Sequence, residues 1–356
     1  MMRKLVVILS ILISLVVLGK LKVALLVNGT LGDGSFFDLA AEGVKKAEKD
    51  FDLSVKIIEM FHNPSIWEPT LKDVADSDYD VVIVGTWQLA KILEKVAPLH
   101  PEKKFILFDA AVDYSKGNLG NVYSILYKQN EGSFLVGALA SLLTTSGIEK
   151  TDPEPLIGFL GGMDTPTIND FLVGYIQGAK YVNPDVKVLI MYAGVFHDPA
   201  KGKEMGLVMY KMGADIVFNV AGITGIGLLE SSKEADKYAI GVDYDQALMY
   251  ERKDPEVAKH IVTSMLKRVG LSIYRALKLH LEGKLQYGRV EKLGVADEMV
   301  GFAKNKYYLS IVPENIRKKL NEMERKIKNG EIVVKSFFGM SKEEFEELKR
   351  SVNPLK

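Results

Sequence analysis

Residues 36–47, FFDLAAEGVKKA, and residues 171–180, FLVGYIQGAK, are two versions of one text, and sliding the chain on itself by about 135 residues brings more of it into line. Phe36 falls on Phe171, Gly43 on Gly178 and Asp80 on Asp215; with one residue lost, Asp109 falls on Asp243. Around these positions DVVIVGT (80–86) resembles DIVFNVAG (215–222), and KKFILFDA (103–110) resembles DKYAIGVD (236–243). Each half therefore reads as strand, Gly-rich turn, helix, strand, helix, strand, helix and a strand that ends in Asp. The β-rich runs alternate with amphipathic stretches at the spacing of βαβ units. Continuous apolar runs such as Val81–Val84 and Ile106–Phe108 suit parallel sheets covered by helices on both faces. The predicted class is α/β, with two similar open parallel-sheet lobes.

In open α/β sheets ligands bind beyond the carboxyl ends of the strands, so the turns that follow the strands of both lobes are expected to face one cleft. Those turns are NGTLGDGSFF (28–37), GTWQ (85–88), DAAVD (109–113), GGMDTPT (161–167), AGVFHD (193–198), AGITGIG (221–227) and DYDQ (243–246).

Composition removes several other classes. The 356 residues are 47% apolar and 26% charged, with 46 basic against 46 acidic side chains, so no global field gathers phosphates and no nucleic-acid partner is expected. The most basic stretch, Arg317 to Lys328, is interleaved with glutamates and reads as a solvated helix face. There is no cysteine, which excludes disulfides, thiolate metal sites and Cys nucleophiles. At the N-terminus Arg3 and Lys4 precede the uncharged run Leu5 to Leu18. A helix of that length rises about 21 Å against a hydrocarbon core of about 30 Å. Residues 1–19 therefore read as a signal peptide, cut before Lys20, that exports the protein from the cytoplasm.

The strings DGSFFDLAAEG, NEGSFLVGALAS, IGFLGGMDTPTINDFLVGYIQGAK, GADIVFNVAGITGIG, GVDYDQ and TSMLKRV, in this order, resemble the basic membrane lipoprotein family, the purine nucleoside receptors that serve ABC importers. The resemblance runs from about Lys22 to Val334 and implies a type I periplasmic binding fold. In that fold two lobes joined by three crossovers close on a ligand and perform no chemistry. It implies lobes made of 20–124 with 246–288 and of 125–245 with 289–356, hinging near Ser124, Asp245 and Gly288. It also implies an ABC permease as membrane partner, a monomer, and no cofactor or metal. The family's lipid-bearing Cys is absent: VLG is followed by Lys20.

By the same resemblance Phe36 and Phe196 sandwich a purine, and Asp243 receives the ribose hydroxyls, a role suited to a carboxylate that accepts two hydrogen bonds. Asp109 is the second cleft carboxylate, and Lys267 balances the two or binds a ring acceptor. Asn28, Asp33 and Ser35 supply contacts to the edge of the base, and Met163, Gly222 and Thr224 join from the turns of the second half. Asp245 is expected to cap a helix, and GEIVV (330–334) to form a final strand. The alternatives are a receptor for another small ligand, such as a sugar, and a nucleoside hydrolase using Asp109 and Asp243 as its carboxylate pair. GITGIG (222–227) departs from the dinucleotide-binding GxGxxG order.

Overall fold

The computed structural model describes residues 20–32, 34 and 36–355; the expected leader 1–19 and the expected contacts Asp33 and Ser35 lie outside the described residues. The first half runs β1 (Lys22–Val27), α1 (Phe36–Phe51), β2 (Ser54–Glu59), α2 (Pro64–Asp76), β3 (Val81–Gly85), α3 (Thr86–Val96), β4 (Lys104–Phe108), β5 (Val122–Tyr127) and α4 (Gln129–Thr144). The second repeats the pattern with β6 (Leu156–Gly161), α5 (Pro166–Val182), β7 (Lys187–Tyr192), α6 (Pro199–Lys211), β8 (Ile216–Val220), α7 (Ile223–Glu234), β9 (Tyr238–Asp243), α8 (Gln246–Lys253), the short α9 (Pro255–Ala258), β10 (Ile261–Lys267) and α10 (Val269–Leu281). The chain ends with β11 (Arg289–Leu293), β12 (Val300–Phe302), α11 (Lys306–Ile311), α12 (Glu314–Lys328) and α13 (Lys342–Ser351).

The strands form two sheets in the orders β11-β5-β4-β3-β1-β2 and β12-β10-β9-β8-β6-β7, parallel throughout except for β12. Alternate residues serve opposite faces: in β1, Val23 and Leu25 join one apolar cluster while Ala24 and Leu26 join another. The second sheet has an outer cluster of its own, and the inner cluster is continuous across both lobes.

That continuity comes from two exchanged helices. Helix α4 follows a strand of the first sheet but packs on α5, and α10 follows a strand of the second sheet but packs on α1. The repeated glycines lie at these crossings. A Cβ on Gly43 would stand 2.3 Å from the carbonyl oxygen of Gly270, and one on Gly178 would stand 1.9 Å from that of Phe134. Any side chain at either position would force the helices apart.

The crossovers differ from the expected boundaries. Ser124 lies inside β5; β10, within the segment expected in the first lobe, belongs to the second sheet; β11, expected in the second lobe, pairs with β5 in the first. The chain instead passes between sheets after β5, after β10 and between β11 and β12. The internal repeat covers four strands per half, so it carries no information about the fifth strands that precede the crossings.

Helix α12 forms as expected, but GEIVV is not a strand. It leads into an extended strap held by side chains of α4 and α5: Asn130 Nδ2 donates to the carbonyl of Val334 (2.9 Å), Gln177 exchanges two bonds with Lys335, and Asp170 accepts from Ser336 Oγ and the Phe337 N–H. Asp170 is buried, and burial raises its pKa to about 6 although those donors pull it down. Among the described residues no helix is long and apolar enough to cross a membrane.

Candidate functional site

Each lobe has the 2-1-3-4-5 strand order, whose direction of winding reverses between its first and third strands; a crevice opens there at the carboxyl ends. The two crevices face each other across one cavity, with about 970 Å³ of space open to solvent at its mouth. From the first lobe come Asn28, Phe36, Phe37, His62, Thr86, Trp87, Gln88 and Asp109; from the second, Thr165, Ile168, Phe171, Phe196, Gly222, Ile223, Asp243 and Lys267, among others.

The strand ends are set by backbone geometry. Asp109 and Asp243, the repeat partners, hold φ of 59° and 62°. This left-handed conformation is uncommon for residues other than Gly and falls most often to Asn and Asp. It turns the chain where each strand stops. Thr86 (φ 73°) and Gly222 (φ 58°) turn the chain after β3 and β8. At Thr86 the β-branched side chain makes this a strained position, held by its neighbours: Asn28 Nδ2 donates to Thr86 Oγ1 at 2.9 Å, spanning β1 and β3. The Gly-rich loop before α1 is fastened by Asp38, whose carboxylate accepts from the N–H groups of Gly32 (2.8 Å) and Gly34 (2.7 Å).

Lys267, at the end of β10 and 3% exposed, stands between the two lobes. Its Nζ donates to Asp109 Oδ1 at 2.9 Å and lies 4.0 Å from Asp243 Oδ1; it is 5.0 Å from the ring centre of Phe36 and 5.1 Å from that of Phe171. Both pairs are repeat partners, so the ammonium sits near the local symmetry axis relating the lobes. Burial pulls the lysine's pKa down, but the charges of Asp109 and Asp243 more than offset it, and the net shift is upward. The ammonium therefore stays charged at neutral pH.

Phe196 is placed by Gly162 and Thr224. A Cβ on Gly162 would meet the Phe196 ring at 2.2 Å, so the ring needs the bare backbone there. Thr224 Oγ1 donates to the Val195 carbonyl (3.1 Å) and accepts from the Asp198 N–H (2.9 Å), closing the loop that carries the ring. At the mouth His62 of the first lobe stacks on His197 of the second, centroids 4.6 Å apart; burial, then the neighbouring imidazole, lowers the pKa of His62.

A family model described as ABC transporter substrate-binding protein PnrA-like matches residues 20–337. The chain belongs to this family. It is 31% identical over 317 residues to basic membrane protein A2 of Borrelia garinii subsp. bavariensis, covering 88% of each chain, and 30% identical over 319 residues to basic membrane protein A of Borreliella burgdorferi, with 88% of each covered. A crystallised ABC transporter solute-binding protein of Aeropyrum pernix superposes with a TM-score of 0.80 at 28% identity, covering 93% of this chain and 98% of that one. The fold is that of the type I periplasmic binding proteins. As a family member this PnrA-like protein is a substrate-binding protein of an ABC transporter, working outside the cytoplasm with a small ligand and a membrane permease as partners.

Of the residues singled out in the PnrA-like sequence, Asn28, Phe36, Asp109, Phe196, Gly222, Asp243 and Lys267 converge on the cavity. Met163 and Thr224 do not line it. Met163 remains 38% exposed on the loop after β6, and Thr224 is buried as the fastening of the Phe196 loop. Asp245 caps α8, accepting from the Leu248 N–H at 3.3 Å. Trp87, Gln88 and Thr165 lie in turns already expected at the cleft, and Phe171 was signalled as the repeat partner of Phe36. His62 carries no such signal, because its loop after β2 has no Gly-rich turn.

Proposed function

We propose that this protein captures a purine nucleoside in the cleft and hands it to its permease without chemical change. The observation that carries the reading is the pairing of aromatic surfaces from both lobes, Phe36 and Phe196, with the polar cluster Asp109, Lys267 and Asp243 in one cavity. Flat rings suit a base, whose stacking on an aromatic is worth about 1–3 kcal/mol. Carboxylates suit vicinal hydroxyls, each of which donates a charge-assisted bond. Asp243 receives the ribose, and Lys267 keeps the two carboxylates at their separation. The protein acts as a monomer exported by residues 1–19.

Calorimetric titration of ligand-stripped protein against guanosine, inosine, adenosine, their 2′,3′-dideoxy forms, ribose and galactose tests this. Ribonucleosides bind, dideoxynucleosides bind at least about tenfold more weakly, and free sugars bind least. Preference for a sugar over every nucleoside would refute the reading, and release of free base from inosine would make the protein a hydrolase.

A further inference from the structure

The chain passes between the lobes at β5, β10, β11 and β12, which lie together on one side of the two sheets; β2 and β7 are the outer strands on the other side. Five strand spacings of about 4.8 Å separate the edges of each sheet, so a contact beyond β2 and β7 acts on an arm of roughly 24 Å from the crossings. His62 follows β2 and His197 follows β7, and their rings stack there with centroids 4.6 Å and planes 18° apart. Both rings sit on stiff supports. Phe61 holds a φ of 52°, a strained value for a bulky side chain, and its carbonyl accepts from Trp67 Nε1 at 3.1 Å. Asn63 on the other side of His62 caps α2, accepting from the Ser65 N–H at 3.2 Å. Asp198, next to His197, caps α6 by accepting from the Lys201 N–H at 3.0 Å. A Cβ on Gly29 would stand 3.3 Å from His62 Cε1, so bare backbone flanks that ring. The acidic groups of the surrounding elements are engaged with backbone: Glu59 accepts from the Leu31 N–H, Asp38 from those of Gly32 and Gly34, and Asp198 as described. Among the described residues, the charge that acts on His62 is that of His197.

We propose that His62 and His197 form an acid-released latch: neutral imidazoles hold the lobes together at the mouth of the cleft, and protonated ones drive them apart. The latch concerns closure and is independent of which ligand the cleft takes. Neutral rings attract as stacked aromatics. Two imidazolium rings 4.6 Å apart repel, and even at the dielectric of bulk water that repulsion is worth about a fivefold change in an equilibrium. Burial, then the facing imidazole, lowers the pKa of His62 in the contact, so the closed form binds fewer protons than an open form in which the ring returns to about 6.5. The contribution of the stack is therefore complete above about pH 6.5 and is lost as pH falls through the lowered value.

The chain has no cysteine, so Lys91→Cys on α3 and Lys211→Cys on α6 place one dye on each lobe without competing thiols. Single-molecule energy transfer between the dyes reads the ratio of closed to open molecules. With both histidines present that ratio falls about fivefold between pH 7.5 and pH 5. Adding His197→Phe keeps a ring to stack and presents His62 with an aromatic face that attracts an imidazolium, so the ratio holds or rises over the same range. Asp170, with a pKa of about 6, titrates in this window too, but it is retained in the variant, where any opening it causes would persist. A ratio that changes less than twofold with both histidines present, closed molecules missing at both pH values, or the same opening by acid in His197→Phe overturns the inference.

Discussion

Replacing Lys267 by Met removes the cation that joins the lobes and leaves the side-chain volume nearly unchanged. At an effective dielectric of about 20, opposite unit charges attract by about 6 kcal/mol at the 2.9 Å separation from Asp109 and by about 4 kcal/mol at the 4.0 Å from Asp243. Desolvation of a lysine that is 3% exposed cancels much of that gain. The cost of the substitution is larger than the net worth of the pairs, because two carboxylates then face each other across the cleft without the ammonium. Removing one member of a buried ionic group costs about 3–5 kcal/mol. At roughly 2 °C per kcal/mol for a chain of this size, Tm should fall by about 6–10 °C at pH 7.5. The assay is thermal unfolding followed by circular dichroism at pH 7.5. The double variant Asp109→Asn/Lys267→Met should recover more than half of the loss, since the deletions share one interaction. A Tm within 2 °C of wild type at pH 7.5, or a double variant no more stable than Lys267→Met alone, would refute the view that Lys267 holds the lobes together electrostatically.

On the proposed nucleoside reading, Gly162→Val should weaken ligand binding by about 1–2 kcal/mol, because a Cβ 2.2 Å from the Phe196 ring must displace it; Phe196→Ala should cost a similar amount and the double variant little more, by titration. Additive losses would show that the two residues act separately. Asp170→Asn tests the strap. The folded pKa of Asp170, about 6, lies above its unfolded value near 3.9, so its contribution is complete below about pH 4 and is lost as pH rises through about 6. Urea titrations should show wild type losing on the order of 2–3 kcal/mol relative to the variant between pH 4 and pH 7; parallel profiles would contradict burial as the cause.

Much of this protein was legible in its residues, for a reason specific to it. A duplicated chain reports each strand end twice, and a repeat too long for any single element can only mean two like lobes. Asp109 and Asp243 were recognisable together because each closes an apolar run at corresponding points of the two halves. Phe36 and Phe196 lie in turns that any open parallel sheet directs toward its ligand. What stayed hidden depends on contacts between segments distant in the chain. The fifth strand of the second sheet, IVTSMLK (261–267), mixes Thr, Ser and Lys with apolar residues and reads as a strand only once β9 and β12 flank it. Its last residue, Lys267, was placed at the cleft only by the family resemblance; by its own neighbours in the chain it reads as any solvated lysine, and its distances to both halves' carboxylates come from the fold. Gly43 and Gly178 were visible as a matched pair, but their purpose appeared only with the exchanged helices that pack backbone to backbone against them. Local sequence carries the periodicity that makes strands and helices, and duplication carries the two-lobe plan. The crossings, the ion at the centre of the lobes and the stacked imidazoles of His62 and His197 are properties of how those pieces meet, where burial and distance, rather than composition, set the energy.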